Sequence, residues 1–134
     1  MSKADFERLA NFRYQLRRFL RFSEDVTRRQ GITSLQYLLM LQIKGFPGRG
    51  WATVGELAER LQAQHHGVVS LISRCEAIGF VARSIGSSDR RQVEIRLTKK
   101  GERCLEQLAR LHRIELQSFQ GEFGMAELTA LQPQ

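Results

Sequence analysis

The 134-residue sequence predicts a mainly α fold with one small β-hairpin, an α+β arrangement, and three observations predict it. Apolar residues recur at three- and four-residue spacing over most of the chain. One stretch instead alternates strictly, with Val93, Ile95 and Leu97 interleaved by Gln92, Glu94 and Arg96. Thr33 with Gln36, and Thr53 with Glu56, form the Thr-x-x-Gln/Glu pattern that opens a helix by reciprocal capping.

Over residues 4–29 the apolar set Phe6, Leu9, Phe12, Leu16, Phe19, Leu20 and Val26 keeps to one helical face, while Arg13, Arg17, Arg18 and Arg21 lie mostly elsewhere. Phe22 falls off that stripe, so this helix offers more apolar surface than one packing seam requires. A second helix starts at the Thr33 cap, with Ile32 placed to staple onto Tyr37, and runs to about Lys44. Its set of Leu35, Leu38, Leu39, Met40, Leu41 and Ile43 is apolar nearly all round and predicts deep burial. Gly45, Pro47 and Gly48 stop it, leaving residues 45–50 as a loop.

The Thr53 cap opens a short third helix with Leu57, Ala58 and Leu61 inward, and Gln62, Ala63 and Gln64 leave room only for a tight turn. Val68, Leu71, Ile72, Cys75 and Ile78 then carry a fourth helix, and Gly79 stands where a left-handed C-terminal cap is wanted. Residues 80–85 and 92–97 make the hairpin, joined through Gly86, Ser87, Ser88, Asp89 and Arg90. Thr98 caps a further helix with Leu105, Leu108, Leu111, Ile114 and Phe119 on one face, broken at Gly121 and Gly124. A last short helix is expected from about Met125.

Twenty-one Lys+Arg against fourteen Asp+Glu give a formal charge of +7, which attracts polyanions. The excess is uneven: +4 over residues 1–30, +1 over 31–60, +4 over 61–100 and −2 over 101–134. No apolar run approaches the roughly 18 to 20 residues that span a bilayer, and no cleavable leader pattern opens the chain, so a cytoplasmic protein without a membrane partner is expected. Cys75 and Cys104 each sit in a helical pattern and read as reduced thiols, Cys75 on the buried stripe. Glu24, His112 and Glu115 read as solvated helix residues, and no metal or cofactor is expected. No nucleophile with a base, phosphate-cradling glycine loop or carboxylate pair is visible, so an enzyme is not expected.

Two helices joined by about three residues and followed by a basic hairpin form a winged helix-turn-helix. The second helix of the pair enters the major groove, and the hairpin lies beside it over the backbone. Near the start of that helix stand Gln64, His65 and His66, followed by Ser70, Ser73 and Arg74, residue types that meet base edges and phosphates. Arg90 and Arg91 at the hairpin tip are expected to contact DNA as well.

At these residues the chain resembles the multiple-antibiotic-resistance regulator (MarR) family of winged-helix transcription factors. Residues 53–61 (TVGELAERL), residues 68–83 with their Ile78-Gly79-Phe80-Val81 exit, and residues 88–101 (SDRRQVEIRLTKKG) carry the resemblance. The last segment is the most specific, because Asp89-Arg90-Arg91 matches the family's Asp-x-Arg wing motif. Two positions depart from the pattern: Gln62 stands where a glycine is common, and Gly67 where Ser or Thr is common. The final helix also ends at Gln134, where relatives usually continue.

The resemblance implies a homodimer in which an N-terminal helix (1–31) and C-terminal helices (99–134) form the dimerisation body around a DNA-binding domain (32–98). It implies that Arg91 reaches the minor groove or its phosphates, and that Asp89 stabilises the wing with Arg74 as its partner. It also implies a pocket between body and DNA lobe for a small aromatic acid, with Arg13 or Arg17 taking the carboxylate and Tyr37 nearby. The cysteine of the family's hydroperoxide-sensing branch is missing from the first helix. The expected function is a sequence-specific, double-stranded-DNA-binding repressor on a palindromic operator, released by a small ligand. A winged-helix protein-interaction module and a non-specific nucleic-acid binder are the alternatives.

Overall fold

Reciprocal capping boxes start three helices of the computed structural model, which describes residues 1–86 and 91–118. Ser2 and Asp5 open α1 (Lys3–Arg29), Thr33 and Gln36 open α2 (Ser34–Lys44), and Thr53 and Glu56 open α3 (Val54–Leu61). In α2 the Thr33 hydroxyl accepts from the Gln36 N–H at 3.1 Å while the Gln36 side chain accepts from the Thr33 N–H at 3.0 Å. Each box satisfies two otherwise orphaned donors, and a cap of this type is worth about 1 kcal/mol. The remaining elements are β1 (Trp51–Ala52), α4 (His65–Ala77), β2 (Val81–Ile85), β3 (Val93–Leu97) and α5 (Lys99–Ser118). The hairpin tip, Phe119, the helix expected from Met125, and the side chains of Ile114 and Glu115 lie outside what is described.

The strands form one antiparallel sheet in the order β1-β3-β2. Trp51 faces Arg96 across β1 and β3, and the hairpin registers Val81 on Leu97 and Ile85 on Val93. The two-residue strand β1 was not expected, since two residues carry no period. The expected alternation along β3 holds only in part. Ile95 is fully buried, but Val93 and its partner Ile85 are both exposed, because the hairpin outruns the core that its base covers. Glu94 is buried instead, and Arg96 donates to it at 2.6 Å.

One core joins α2, α3, α4 and the sheet base to Val26 of α1 and to Leu105 and Leu108 of α5. Within α2, Tyr37, Leu39, Met40 and Ile43 are buried, whereas Leu35 is 54% exposed, so all-round apolarity does not here mean all-round burial. α1 departs further from expectation. Phe6, Leu9 and Leu20 of its stripe are exposed, and the buried residues include Asp5, Gln15, Ser23 and Thr27. Among the described residues α1 packs mainly on α2 and α5, through a face that includes Phe22 and Val26, and Phe6, Leu9 and Leu20 lie away from that contact.

Two backbone features position α4 and the hairpin. Gln62 ends α3 in the left-handed region (φ 50°, ψ 48°), the conformation for which glycine is common at this place. Its side-chain amide donates to the Glu59 carbonyl at 2.8 Å, offsetting part of the roughly 1 to 2 kcal/mol that this conformation costs. In the first turn of α5, a Cβ on Gly101 would stand 2.1 Å from the Phe80 carbonyl oxygen, so only glycine allows α5 to lie against the entry to β2.

Candidate nucleic-acid interface

The tight turn after α3 delivers α4 with its apolar side down: Val68, Leu71, Ile72 and Cys75 are buried. Its other side presents His65, His66, Val69, Ser70, Ser73 and Arg74, all exposed, at the three- and four-residue spacing of one helical stripe. Gln64, also exposed, is the N-cap, and it makes no side-chain capping bond, in contrast to the starts of α1, α2 and α3. The structure thus brings all six sequence-expected residues of this helix to one solvent face.

The exit of α4 is clamped. The Thr98 hydroxyl donates to the Gly79 carbonyl at 2.6 Å and accepts from the Gly101 N–H at 3.0 Å, and the Lys100 ammonium donates to the Ile78 carbonyl at 2.8 Å. A cation on the last carbonyls suits the negative end of a helix dipole. With Gly79 at φ 83°, these bonds turn the chain directly into β2 and set the hairpin beside the helix.

Arg83 on β2 is the residue that reading the sequence missed. Its guanidinium donates to the Ser73 hydroxyl of α4 at 2.9 Å, with both side chains exposed, tying the hairpin to the exposed stripe. The available signal was the short Gly79 turn, which brings the first residues of β2 back along the last turns of α4. Arg91 is exposed at the return into β3. Asp89 and Arg90 lie outside the described residues, and so does the expected Asp89–Arg74 pair; Arg74 itself is exposed on α4.

On the far side of α3, the Arg49 guanidinium stacks 4.3 Å from the Phe46 ring centroid and 3.8 Å from that of Trp51, and pairs with Glu56. Burial raises the Glu56 pKa, but the hydrogen bonds from Thr53 and the Arg49 charge outweigh it and hold the carboxyl below its ordinary value. The loop before α3 and the first turn of α3 are thereby fixed together.

At the junction of α1, α2 and α5, His112 is buried rather than solvated. It stacks on Tyr37 and meets Phe19 and Phe22 edge-on, with ring centroids 6.1 and 5.8 Å away. Its Nδ1 lies 2.7 Å from the Leu108 carbonyl and its Nε2 2.8 Å from the Ser23 hydroxyl. Because a carbonyl only accepts, Nδ1 carries a proton and donates to Leu108, while Nε2 is partnered by the Ser23 hydroxyl. Tyr37 is thus engaged in this cluster. Arg17 lines a separate shallow cleft on α1 with Leu20, Arg21, Glu24, Asp25 and Arg28, and Arg13 is exposed. The described residues hold no cluster of metal-ligating side chains. Burial pushes the Cys75 thiol up to about 11 against the opposing Arg74 charge, and raises Cys104 against that of Lys100.

Comparison with known proteins agrees with this architecture. The model of the MarR family matches residues 30–92, which contain α2, α3, α4, β1 and β2. The chain is 29% identical over 80 residues to the HTH-type transcriptional repressor MdtR of Bacillus subtilis strain 168, a match that covers 60% of this chain and 50% of that relative. A MarR family protein from Bacillus stearothermophilus superposes with a TM-score of 0.75 at 26% identity, over 96% of this chain and 89% of the other. A point mutant of S. aureus MepR bound to an oligodeoxyribonucleotide shares the fold, with a TM-score of 0.68 at 20% identity over 87% and 83% of the two chains. With the matched segment enclosing the helix-turn-helix and the fold shared over nearly the whole chain, the protein is similar in sequence and architecture to the MarR family of winged-helix transcriptional regulators.

Proposed function

We propose that the protein is a homodimeric, sequence-specific DNA-binding repressor. The observation that carries this reading is the exposed stripe of His65, His66, Ser70, Ser73 and Arg74 on α4, flanked by Arg83 and Arg91 of the hairpin in a segment of net charge +4. Side chains of these types on a helix that fits the major groove supply base-edge and phosphate contacts, and the flanking arginines supply further phosphate contacts that set register. The oligonucleotide in the MepR structure and the repressor role of MdtR support the same reading.

The exposed Phe6, Leu9 and Leu20 of α1 favour a second copy of the chain as the partner of the 1–31 and 99–134 helices. A two-fold dimer places two α4 helices on one DNA face, about 34 to 36 Å apart, and so requires an inverted repeat. Occupying the operator blocks transcription in the cytoplasm. A small aromatic acid taken by Arg13 or Arg17 on the exposed side of α1 then releases the DNA by changing the angle between body and lobes. Asp89 holds the wing so that Arg90 and Arg91 meet the backbone, and Gln64 adds a contact at the start of α4.

The test is selection of bound duplexes from a random-sequence library at roughly physiological salt. The expected result is an inverted repeat with half-site centres about 10 base pairs apart. Recovery of duplexes with no shared motif would replace this reading with non-specific backbone binding. Failure to recover any would leave a protein-interaction module.

A further inference from the structure

We propose that Arg83 and Ser73 form a two-residue clasp for one DNA phosphate at the seam between α4 and the hairpin. The inference rests on the reading of these elements as a DNA interface, and it adds a contact that links the helix to the wing.

The donor accounting points to the ligand. Arg83 reaches Ser73 from β2 with one terminal nitrogen at 2.9 Å, which occupies one lone pair of the hydroxyl. A guanidinium has five N–H donors and no acceptor, so most of its donors remain for an outside group. Among the described residues, Arg83 is the one side-chain partner of the Ser73 hydroxyl, whose hydrogen is polarised by the charge on its oxygen. The pair therefore presents N–H donors and an O–H donor together on an exposed surface. An acceptor-rich anion with several oxygens in one place fits that set, and a phosphodiester is such a group.

Position makes the anion a backbone phosphate. Ser73 stands on the same exposed stripe as His66 and Ser70, and Arg83 stands on the strand that leads out to the wing tip. A duplex with its major groove over α4 and its neighbouring backbone under the wing must pass a strand across this seam. Among the described residues no carboxylate pairs with Arg83, and Glu94, on the paired strand opposite Ser84, is committed to Arg96 at 2.6 Å. Anchoring Arg83 on Ser73 also fixes the wing against α4, so that a phosphate gripped by both sets their relative register on DNA.

The test measures binding of Arg83→Ala, Arg83→Lys and Ser73→Ala to a duplex recovered by the selection, over a range of salt. It also scans that duplex with single methylphosphonate linkages, each of which removes one phosphate charge. Arg83→Ala is expected to weaken binding roughly ten- to a hundred-fold and to lower the salt slope by about 0.9. One methylphosphonate position should weaken the wild type and leave Arg83→Ala unaffected. Arg83→Lys should keep the slope but lose much of the affinity, because an ammonium lacks the fork. Ser73→Ala should lose several-fold with the slope unchanged.

A wild-type slope and an unaltered linkage scan for Arg83→Ala, with Arg91→Ala still weakened, would overturn the clasp and leave the DNA reading standing. Absence of any binding by the wild type would overturn both. Both side chains are exposed, and thermal melts check folding. Should Arg83→Ala not fold, Arg83→Lys and Ser73→Ala in the same scan decide the point: a linkage that neither variant alters overturns the clasp.

Discussion

The imidazole of His112 lies flat against the ring of Tyr37, centroids 4.4 Å apart and planes 10° apart, and so joins α5 to α2 at the point where α1 crosses both. The Ser23 hydroxyl completes the joint from α1 at 2.8 Å. A buried polar ring of this kind is useful only if both nitrogens are partnered, and both are.

Removing that ring leaves a cavity and an unpartnered Ser23. His112→Ala should lower the unfolding free energy by about 3 kcal/mol, as for other large aromatic truncations in a core. His112→Phe keeps the stacking and loses only the hydrogen bonds, so about 1 to 2 kcal/mol is expected. Urea unfolding of the two variants checks the order. Equal losses would mean that the polar pair, not packing, sets the joint.

Gln62 carries the cost of a left-handed residue and recovers part of it through its own side chain. Gln62→Ala keeps the cost and loses the bonds to Glu59, so a loss of about 1 kcal/mol is expected. Gln62→Gly loses the same bonds but relieves the strain, and should be near neutral. Thermal or urea unfolding of the pair separates them, and a Gly variant as damaged as the Ala variant would contradict the compensation.

Gly101 is required for a different reason, since its φ is ordinary and the space beside it is not. Gly101→Ala must push the first turn of α5 off the Phe80 backbone, which also disturbs the Thr98 and Lys100 bonds at the exit of α4. A loss of about 3 kcal/mol or more is expected, at or above the usual range for overpacking, because backbone cannot rotate away. Proteolysis between α4 and β2 should rise with it. A variant of normal stability would show that α5 sits further from Phe80.

Burial holds the Cys75 thiol neutral, with its pKa pushed from 9.0 up to about 11. A group whose pKa is raised by folding stabilises below its ordinary value and loses that contribution as pH rises through the folded value. The urea midpoint should therefore fall between about pH 9 and 11, and Cys75→Ala should flatten that fall. At about pH 8, a thiol reagent should modify Cys104 first and reach Cys75 only on unfolding.

What could be read in the sequence was local. The boxes at Thr33 and Thr53 lie within four residues, and the Gly79 cap announces itself by residue type, so these elements stand where expected. What escaped depended on distant partners. His112 follows Leu105 and Leu108 at helical spacing, yet its burial depends on Ser23 and Tyr37, which come from other helices. Arg83 meets Ser73 only because the chain reverses at Gly79. The apolar stripe of α1 was visible, but the exposure of Phe6, Leu9 and Leu20 within it was not, since periodicity states a need for a partner without saying where the partner is.

Arg91 and the α4 stripe make separable predictions for DNA binding. An arginine that neutralises one phosphate contributes to every sequence alike, so Arg91→Ala should weaken specific and random duplexes by similar factors and lower the salt slope by about 0.9. His66 and Ser70 stand on the exposed α4 stripe, which the proposed docking sets against base edges. Replacing either with Ala should alter base preference at one half-site position, each good contact being worth about 1 to 3 kcal/mol of discrimination, and leave the salt slope in place. Repeating the duplex selection with each variant reads the preference directly. If both α4 variants recover the wild-type motif, base reading belongs to other residues. If Arg91→Ala changes the motif instead, the wing reads sequence through groove shape as well as gripping the backbone.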